Sequence, residues 1–455
     1  MQLQYNQEKF NDLRKTYKEF VFEGFDYDFQ ETELEIVFHF SVDDFVKFNP
    51  RIIIPKTSFL NHKHLSKDYI ELLIFHIGMI ELISYWKAIC TNKIVINDFY
   101  LSEKQIAFWK KIYFHGLGEF FYLNSIETNI DDFVEIVNAS DRACKPEQLN
   151  MTEDCIIPVG GGKDSVVSLE LLKNRVGDNL ALIMNPRGAS SATANIAGFE
   201  GKTVIIKRFL DQELLELNKQ GFLNGHTPFS ALLGFITVLS ASLSQKKYIT
   251  LSNESSANES TVIGTDVNHQ YSKSFEFEND FRNYVHEFIS PDIEYFSLLR
   301  PISEFQIASL FAKSPQYFYD FKSCNVGSKQ NIWCGACSKC LFTFIILSPF
   351  LEAAELHKIF GKNMFDDASL MNYFEELTGI ADVKPFECVG TVDEVNAALC
   401  LSLDKYTDLP VLLRRFKESN LIGQCNKVNK QELLIKIEQE HFLKSEFLDL
   451  ILEKL

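Results

Sequence analysis

Between Cys155 and Ser165 the chain reads Cys-Ile-Ile-Pro-Val-Gly-Gly-Gly-Lys-Asp-Ser, a short apolar run that breaks into three glycines ahead of Asp164 and Ser165. Ile156, Ile157 and Val159 have the pattern of a buried parallel strand, with Pro158 unusual near its end. Val166, Val167, Leu169, Leu171 and Leu172 give the following stretch one apolar helical face, broken by Ser168, Glu170 and Lys173. Strand, glycines and helix in that order bring backbone N–H groups and a helix N-terminus up to an anion. A turn with no ligand is the alternative, but three consecutive glycines cost chain entropy with no packing return. The common loop G-x-x-x-x-G-K-[ST] does not fit. Asp164 follows Gly162-Lys163 where Ser or Thr belongs, and Ile157 holds the place of its first glycine.

A β–α–β rhythm continues from this point. Leu180–Met184 and Thr203–Ile206 read as a second and a third strand, Phe229–Leu243 as a helix, and Tyr248–Leu251 as a fourth strand. Ligands bind at the carboxyl ends of strands in an open parallel sheet, where residues 160–165, Asn185 and Ser252-Asn253-Glu254 all fall. Residues 1 to about 60 alternate like strands, as in Leu34–Phe40, whereas 65–135 read as helical. A polar stretch from Asn138 to Asp154 marks a link. The expected organisation is an α+β N-terminal domain over 1–150, an α/β domain with an open parallel sheet over 151–345, and a helical C-terminal region over 346–455. Asn429–Leu455 reads as a single amphipathic tail helix, with Asn429 as cap and Glu432 three residues on.

A chain of 455 residues, 46% hydrophobic and 24% charged, has the composition of an ordinary multidomain globular protein, and most of its 41 phenylalanines must be core. A formal charge of −17 argues against nonspecific binding to nucleic acid or anionic membranes, which needs clustered Lys and Arg. It leaves room for an anionic substrate at a locally basic site. The N-terminus lacks a basic region followed by an apolar stretch, and Tyr69–Trp86 reads as too interrupted, by Glu71, His76 and Glu81, to cross a bilayer. A cytoplasmic protein with reduced cysteines is the expectation.

Six of the ten cysteines, Cys90, Cys144, Cys155, Cys388, Cys400 and Cys425, are scattered and read as small apolar side chains. The other four cluster as Cys324, Cys334, Cys337 and Cys340, with Gly335 in the tight turn between two overlapping C-x-x-C units. Four thiolates fill a tetrahedral shell, so the expected ion is a structural zinc, with an iron–sulfur cluster or a redox dithiol as alternatives.

The polar run Ser252–Glu259 and the block Asp266-Val-Asn-His-Gln-Tyr-Ser-Lys-Ser274 have little to bury. Surface loops would explain them, but loops at strand ends also carry catalytic groups. Glu254 and Asp266 suit Mg²⁺. His269, Tyr271 and Lys273 are candidates for proton transfer or phosphate contact, and Arg300, just ahead of a helix capped by Ser303, is a candidate anion contact.

The loop resembles the S-G-G-x-D-S pyrophosphate loop of the ATP pyrophosphatase superfamily, whose members release pyrophosphate and form an adenylate. Gly161, Gly162, Asp164 and Ser165 match, and Gly160 stands where Ser is usual. The cysteine cluster is similar to the zinc site of the 7-cyano-7-deazaguanine synthases, another branch of that superfamily. Across nearly its whole length the chain resembles the UDP-N-acetylmuramoyl-L-alanyl-L-glutamate epimerases, bacterial cell-wall enzymes of the pyrophosphatase-loop group. His76-Ile-Gly78, Ser84-Tyr-Trp-Lys87, Val159–Ser165, Ser252–Glu254, Ala257–Glu259, Asp266–Lys273 and Trp333–Cys340 carry this resemblance.

The resemblance implies an ATP- and Mg²⁺-dependent epimerase with a structural Zn²⁺, acting on a UDP-linked muramoyl dipeptide through a carboxyl adenylate. Gly160, Gly161, Gly162, Lys163, Asp164, Ser165, Asn185, Ser252 and Asn253 would hold ATP, and Asp164, Glu254 and Asp266 the Mg²⁺. Lys273, Arg282 and Arg300 would meet the anionic substrate, with His269 as first choice of base and Tyr271 as second. The rivals are an amide or nitrile synthase that passes the adenylate to ammonia, and a nucleotide sensor without turnover.

Overall fold

Strand periodicity positions the first part of the chain. In this computed structural model, which describes residues 5–455 apart from 144, 176, 263, 264 and 266, Phe20 and Phe22 of β1 (Glu19–Phe29) and Leu34, Ile36, Phe38 and Phe40 of β2 (Glu33–Val42) turn to a buried face. β3 (Val46–Phe48) and β4 (Arg51–Pro55) follow, then β5 (Lys93–Ile96) and β6 (Glu135–Asn138). The remaining strands are β7 (Thr152–Pro158), β8 (Leu180–Met184), β9 (Thr203–Phe209), β10 (Lys246–Leu251) and β11 (Glu294–Ser297). One stretch of sheet has the order β9-β4-β2-β1-β5-β6, with β3 on β2, and another the order β11-β10-β7-β8. β1–β5, β5–β6 and β7–β10 pair in parallel, whereas β1–β2, β2–β4 and β4–β9 are antiparallel.

The chain divides into two compact units, each gathered from three stretches. The first comprises Met1–Ile156, Val204–Ile249 and Asp266–Tyr295, and the second Ile157–Thr203, Thr250–Thr265 and Phe296–Leu455. The carboxyl ends of β7, β10 and β11, and all of β8, fall in the second unit.

The first unit is organised by the helix Lys67–Ile89, capped by Ser66. Every residue from Tyr69 to Ile89 except Glu71 is buried, and the helix packs against β1, β2 and the helix Phe229–Ser244. Gly78 permits the approach to the sheet, since a Cβ there would sit 2.3 Å from the Phe22 ring. By length and composition this helix could cross a bilayer, contrary to the expectation for Tyr69–Trp86, but its apolar stretch is wholly buried in the protein. Its charges are answered internally: Arg208 donates to Glu81 at 2.8 Å and Lys87 to the Gly225 carbonyl at 2.6 Å.

His76 on the same helix is fully enclosed, hydrogen-bonded to Leu72 O at 2.8 Å and Tyr284 Oη at 2.9 Å. Burial pushes its pKa down to about 4. The unfolded chain, with histidine near 6.5, therefore binds the proton more readily. Stability should hold above pH 6.5 and fall as pH drops toward 4, by about 3 kcal/mol from this residue. Denaturant midpoints across that window, compared with those of His76→Gln, check this; an identical acid slope in the variant would rule it out.

Four sequence expectations need correction here. Residues before β1 hold a helix, Gln7–Thr16, rather than a strand; Phe10 is buried and Arg14 donates to Phe133 O at 2.6 Å. β5 interrupts the region read as helical. The tail is two short helices, Lys430–Ile435 and Ser445–Leu452, because tertiary partners take the backbone groups a continuous helix would pair. Gln306 donates to Leu434 O at 3.0 Å, and Glu438 N–H goes to Pro301 O at 2.8 Å. Cys400 and Cys425, read as unpaired apolar residues, form a disulfide with Cα atoms 5.2 Å apart.

Candidate functional site

In the second unit the three glycines pass from β7 into the helix Lys163–Leu172, with Gly162 as its cap residue. Gly161 adopts φ +87°, its N–H donates to Ser165 Oγ at 3.1 Å, and its carbonyl accepts from Lys322 N–H at 2.9 Å. Asn185, exposed at the end of β8, also has a positive φ of 48°, a conformation Asn tolerates better than most residues. Ser252 donates to Ser168 Oγ at 2.8 Å and Asn253 to Ser297 Oγ at 3.1 Å, so both belong to the lattice of this unit.

Lys163 does not extend into solvent. Only 3% exposed, its ammonium contacts the carboxylates of Asp164 and Glu304. Burial works against that charge, but the two carboxylates outweigh it and the lysine pKa is raised. Burial raises the Glu304 carboxyl, Lys163 opposes this, and Asp164 and Glu254 reinforce it. Asp164, Glu254 and Glu304 can place one oxygen each within 4.8 Å of one another. Three carboxylates from three segments are the hard oxygen donors that Mg²⁺ takes, and Lys163 alone does not balance them. Glu304 was missed as a ligand because Ser303, confirmed as the cap of Glu304–Ala312, explains its position as the first residue of a helix. Asp266, the third expected magnesium ligand, lies outside the described residues. Lys163→Met should cost about 3–5 kcal/mol, because it removes the ammonium that offsets the buried Glu304 carboxylate and the partly exposed Asp164, beside buried Glu254. Urea titration of the purified variant measures it, and a loss under about 1 kcal/mol would contradict the pairing.

Arg300 and Arg282, expected as substrate contacts, direct donors to protein acceptors instead. Arg300 is 1% exposed and donates to Glu254 O at 2.7 Å, holding the segment that presents the Glu254 carboxylate. Arg282, in the first unit, donates to Tyr295 O at 2.6 Å and Glu294 at 2.8 Å. Both are scaffold residues in this geometry.

Cys324, Cys334, Cys337 and Cys340 converge as expected. Sulfur separations of 3.9 Å (324–337), 3.7 Å (334–340) and 3.5 Å (337–340) bracket the ~3.8 Å edge of a tetrahedron with ~2.3 Å zinc–sulfur bonds. The N–H groups of Gly327 and Ala336 point at Cys324 and Cys334 sulfurs, 3.2 and 3.4 Å away. The donor set fits zinc.

The expected proton-transfer residues lie in the first unit. His269 Nδ1 is 2.5 Å from a Glu119 oxygen, and His226 Nδ1 is 3.6 Å from the same oxygen. Tyr271 is buried and packs on His115, with no hydrogen-bond partner for its hydroxyl among the described residues. Burial pushes its phenol well up, so near neutral pH it can donate a proton but not serve as a base. Lys273 ends the same short turn. Glu119 and His226 were missed. The available signal was a carboxylate set among aromatics, Glu119-Phe-Phe-Tyr122.

Residues 11–298 match the family described as the MurL N-terminal domain, and residues 320–428 the one described as the MurL C-terminal domain. Similar proteins named UDP-N-acetyl-alpha-D-muramoyl-L-alanyl-L-glutamate epimerase include one from Xanthomonas oryzae pv. oryzae, 38% identical over 70% of this chain and 72% of its own. Another, from a Micromonospora species, is 34% identical over 72% of this chain and 75% of its own. A third, from Salinispora tropica, is 33% identical over 72% and 73%. No solved structure matches the chain. The chain belongs to the UDP-N-acetyl-alpha-D-muramoyl-L-alanyl-L-glutamate epimerase family.

Proposed function

We propose that this protein inverts the terminal L-glutamate of UDP-N-acetylmuramoyl-L-alanyl-L-glutamate through an acyl adenylate, with release of AMP and diphosphate. Family membership carries the epimerase reading. The glycine loop beside three converging carboxylates supports the ATP step and an ATP pyrophosphatase-type domain.

An α-proton next to an ionised carboxylate is hard to remove, because deprotonation puts two negative charges on adjacent atoms. Adenylation removes one charge and makes the carbonyl an electron sink. Each unit by which the C–H pKa falls is worth about 1.4 kcal/mol. The N–H groups opening the helix Lys163–Leu172 would face the phosphates. Asp164, Glu254 and Glu304 would hold Mg²⁺, which neutralises phosphate charge when bound. His269 would take the α-proton, a proton would return on the opposite face, and water would hydrolyse the inverted adenylate. The four cysteines would hold a structural zinc.

Pyrophosphate release with ATP, Mg²⁺ and the L-glutamate substrate, coupled to chiral analysis of the glutamate, tests this reading. Release with inversion is expected. Release without inversion, or only with ammonia, would replace the epimerase by another adenylating enzyme. ATP binding with no release would leave a sensor.

A further inference from the structure

Glu119 is 7% exposed on the short helix Gly118–Leu123, beside the buried rings of Phe120 and Phe121. A carboxylate in such a place costs desolvation free energy unless it is hydrogen-bonded. Two imidazoles from two distant segments meet it. His226 comes from the loop ahead of the helix Phe229–Ser244 and His269 from the turn ahead of Tyr271. His269 Nδ1 lies 2.5 Å from a Glu119 oxygen, within hydrogen-bond reach, and His226 Nδ1 lies 3.6 Å from the same oxygen, beyond it. The second unit's carboxylate cluster does not include these residues.

The two rings are not equivalent. Burial pushes His226 down to about 4, with His269, Lys87 and Lys273 pushing the same way against Glu119, so His226 is neutral at physiological pH. His226 therefore adds no positive charge beside Glu119. The positive groups Lys87 and Lys273 also disfavour a divalent cation here. The ring centroids lie 4.5 Å apart. His269 is within hydrogen-bond reach of Glu119 and His226 is beyond it, so the carboxylate orients the His269 ring.

We infer that Glu119 is the positioning residue for His269 in proton transfer. This inference rests on the epimerase reading above. Glu119 fixes the tautomer with the proton on His269 Nδ1, leaving Nε2 as the base. The α-carbon–hydrogen bond breaks, its proton goes to Nε2, and its electron pair moves onto the activated acyl oxygen. The imidazolium so formed is stabilised by Glu119. A solvent-derived proton then rebuilds the bond on the opposite face, and Nε2 returns its proton to solvent. The arrangement is the orienting carboxylate of a carboxylate–imidazole pair, applied to carbon acid chemistry.

The test uses the full chain with ATP, Mg²⁺ and substrate in deuterated water, scoring pyrophosphate release and deuterium gain at the glutamate α-carbon separately. In Glu119→Gln, exchange should fall about 10²–10⁴-fold while pyrophosphate release falls far less. Glu119→Asp should recover part of the exchange. His269→Gln should resemble Glu119→Gln, and the double variant should be no worse than His269→Gln alone. Exchange at the wild-type rate in Glu119→Gln overturns the inference, as does parallel loss of both readouts in Glu119→Gln and Glu119→Asp. Wild-type protein that neither releases pyrophosphate nor exchanges defeats the proposed function and this inference together. Wild-type turnover with unimpaired Glu119→Gln defeats the inference alone.

Discussion

Gly161→Ala should lower ATP-dependent pyrophosphate release by roughly 10²-fold, the penalty of shifting reacting groups by about an ångström. An added Cβ at Gly161 would lie 2.5 Å from Ser190 N and 2.7 Å from Ala189 C, both backbone atoms of the helix Gly188–Ile196. Backbone cannot rotate away as a side chain can, and φ +87° already disfavours any L-residue there. The loop would have to move, and with it the bonds from Gly161 to Ser165 and Lys322. Gly160 is the internal control. A Cβ there meets nothing within 4 Å, so Gly160→Ser, which restores the hydroxyl usual in the resembled loop, should fold and turn over. Steady-state pyrophosphate assays on the two variants decide it. Equal activity in Gly161→Ala and wild type would show that the loop conformation is not what the reaction requires.

The largest loss of stability should come from the cysteine centre. Cys337→Ser removes one of four converging thiolates, and the purified variant should bind less than one zinc per chain by elemental analysis. Loss of a structural metal belongs to the few mechanisms that exceed about 4 kcal/mol. At ~2–4 °C per kcal/mol for units of this size, the melting transition should drop by roughly 10 °C. Trp333, beside Cys334, packs on Phe321 and Phe360 at 5.2 and 4.7 Å, so its fluorescence should report the change. Stoichiometric zinc with an unchanged transition in Cys337→Ser would refute the structural role. Wild-type protein that carries iron and absorbs in the visible would replace zinc by an iron–sulfur cluster.

What was legible in the sequence is what local chemistry enforces. The β7–loop–helix unit needed no tertiary context, because a continuous buried apolar run, glycines and a helical apolar face all lie within twenty residues. The same holds for β8, which spans Leu180–Met184 as read, and for Ser303 as a helix cap. The cysteine cluster was legible because three of its four members lie within seven residues. Misreadings fell where a distant segment decides a local outcome. The tail helix breaks because Gln306 and Pro301 claim the groups of Leu434 and Glu438. The apolar helix Lys67–Ile89 is a core helix because a sheet face and the helix Phe229–Ser244 cover it.

The sequence by itself determined the family, the glycine-loop element and the thiolate set, since each is written in short runs of residues whose chemistry admits few alternatives. Only the tertiary structure decided that Glu304 joins Asp164 and Glu254 around Lys163, that Arg300 supports a segment instead of facing a ligand, and that Glu119 and His226 surround His269. Arg300 and Glu254 are 46 positions apart, Lys163 and Glu304 141, and Glu119 and His269 150. A carboxylate or imidazole acquires its role from the charges and hydrogen-bond partners that burial forces on it, and no local pattern encodes them.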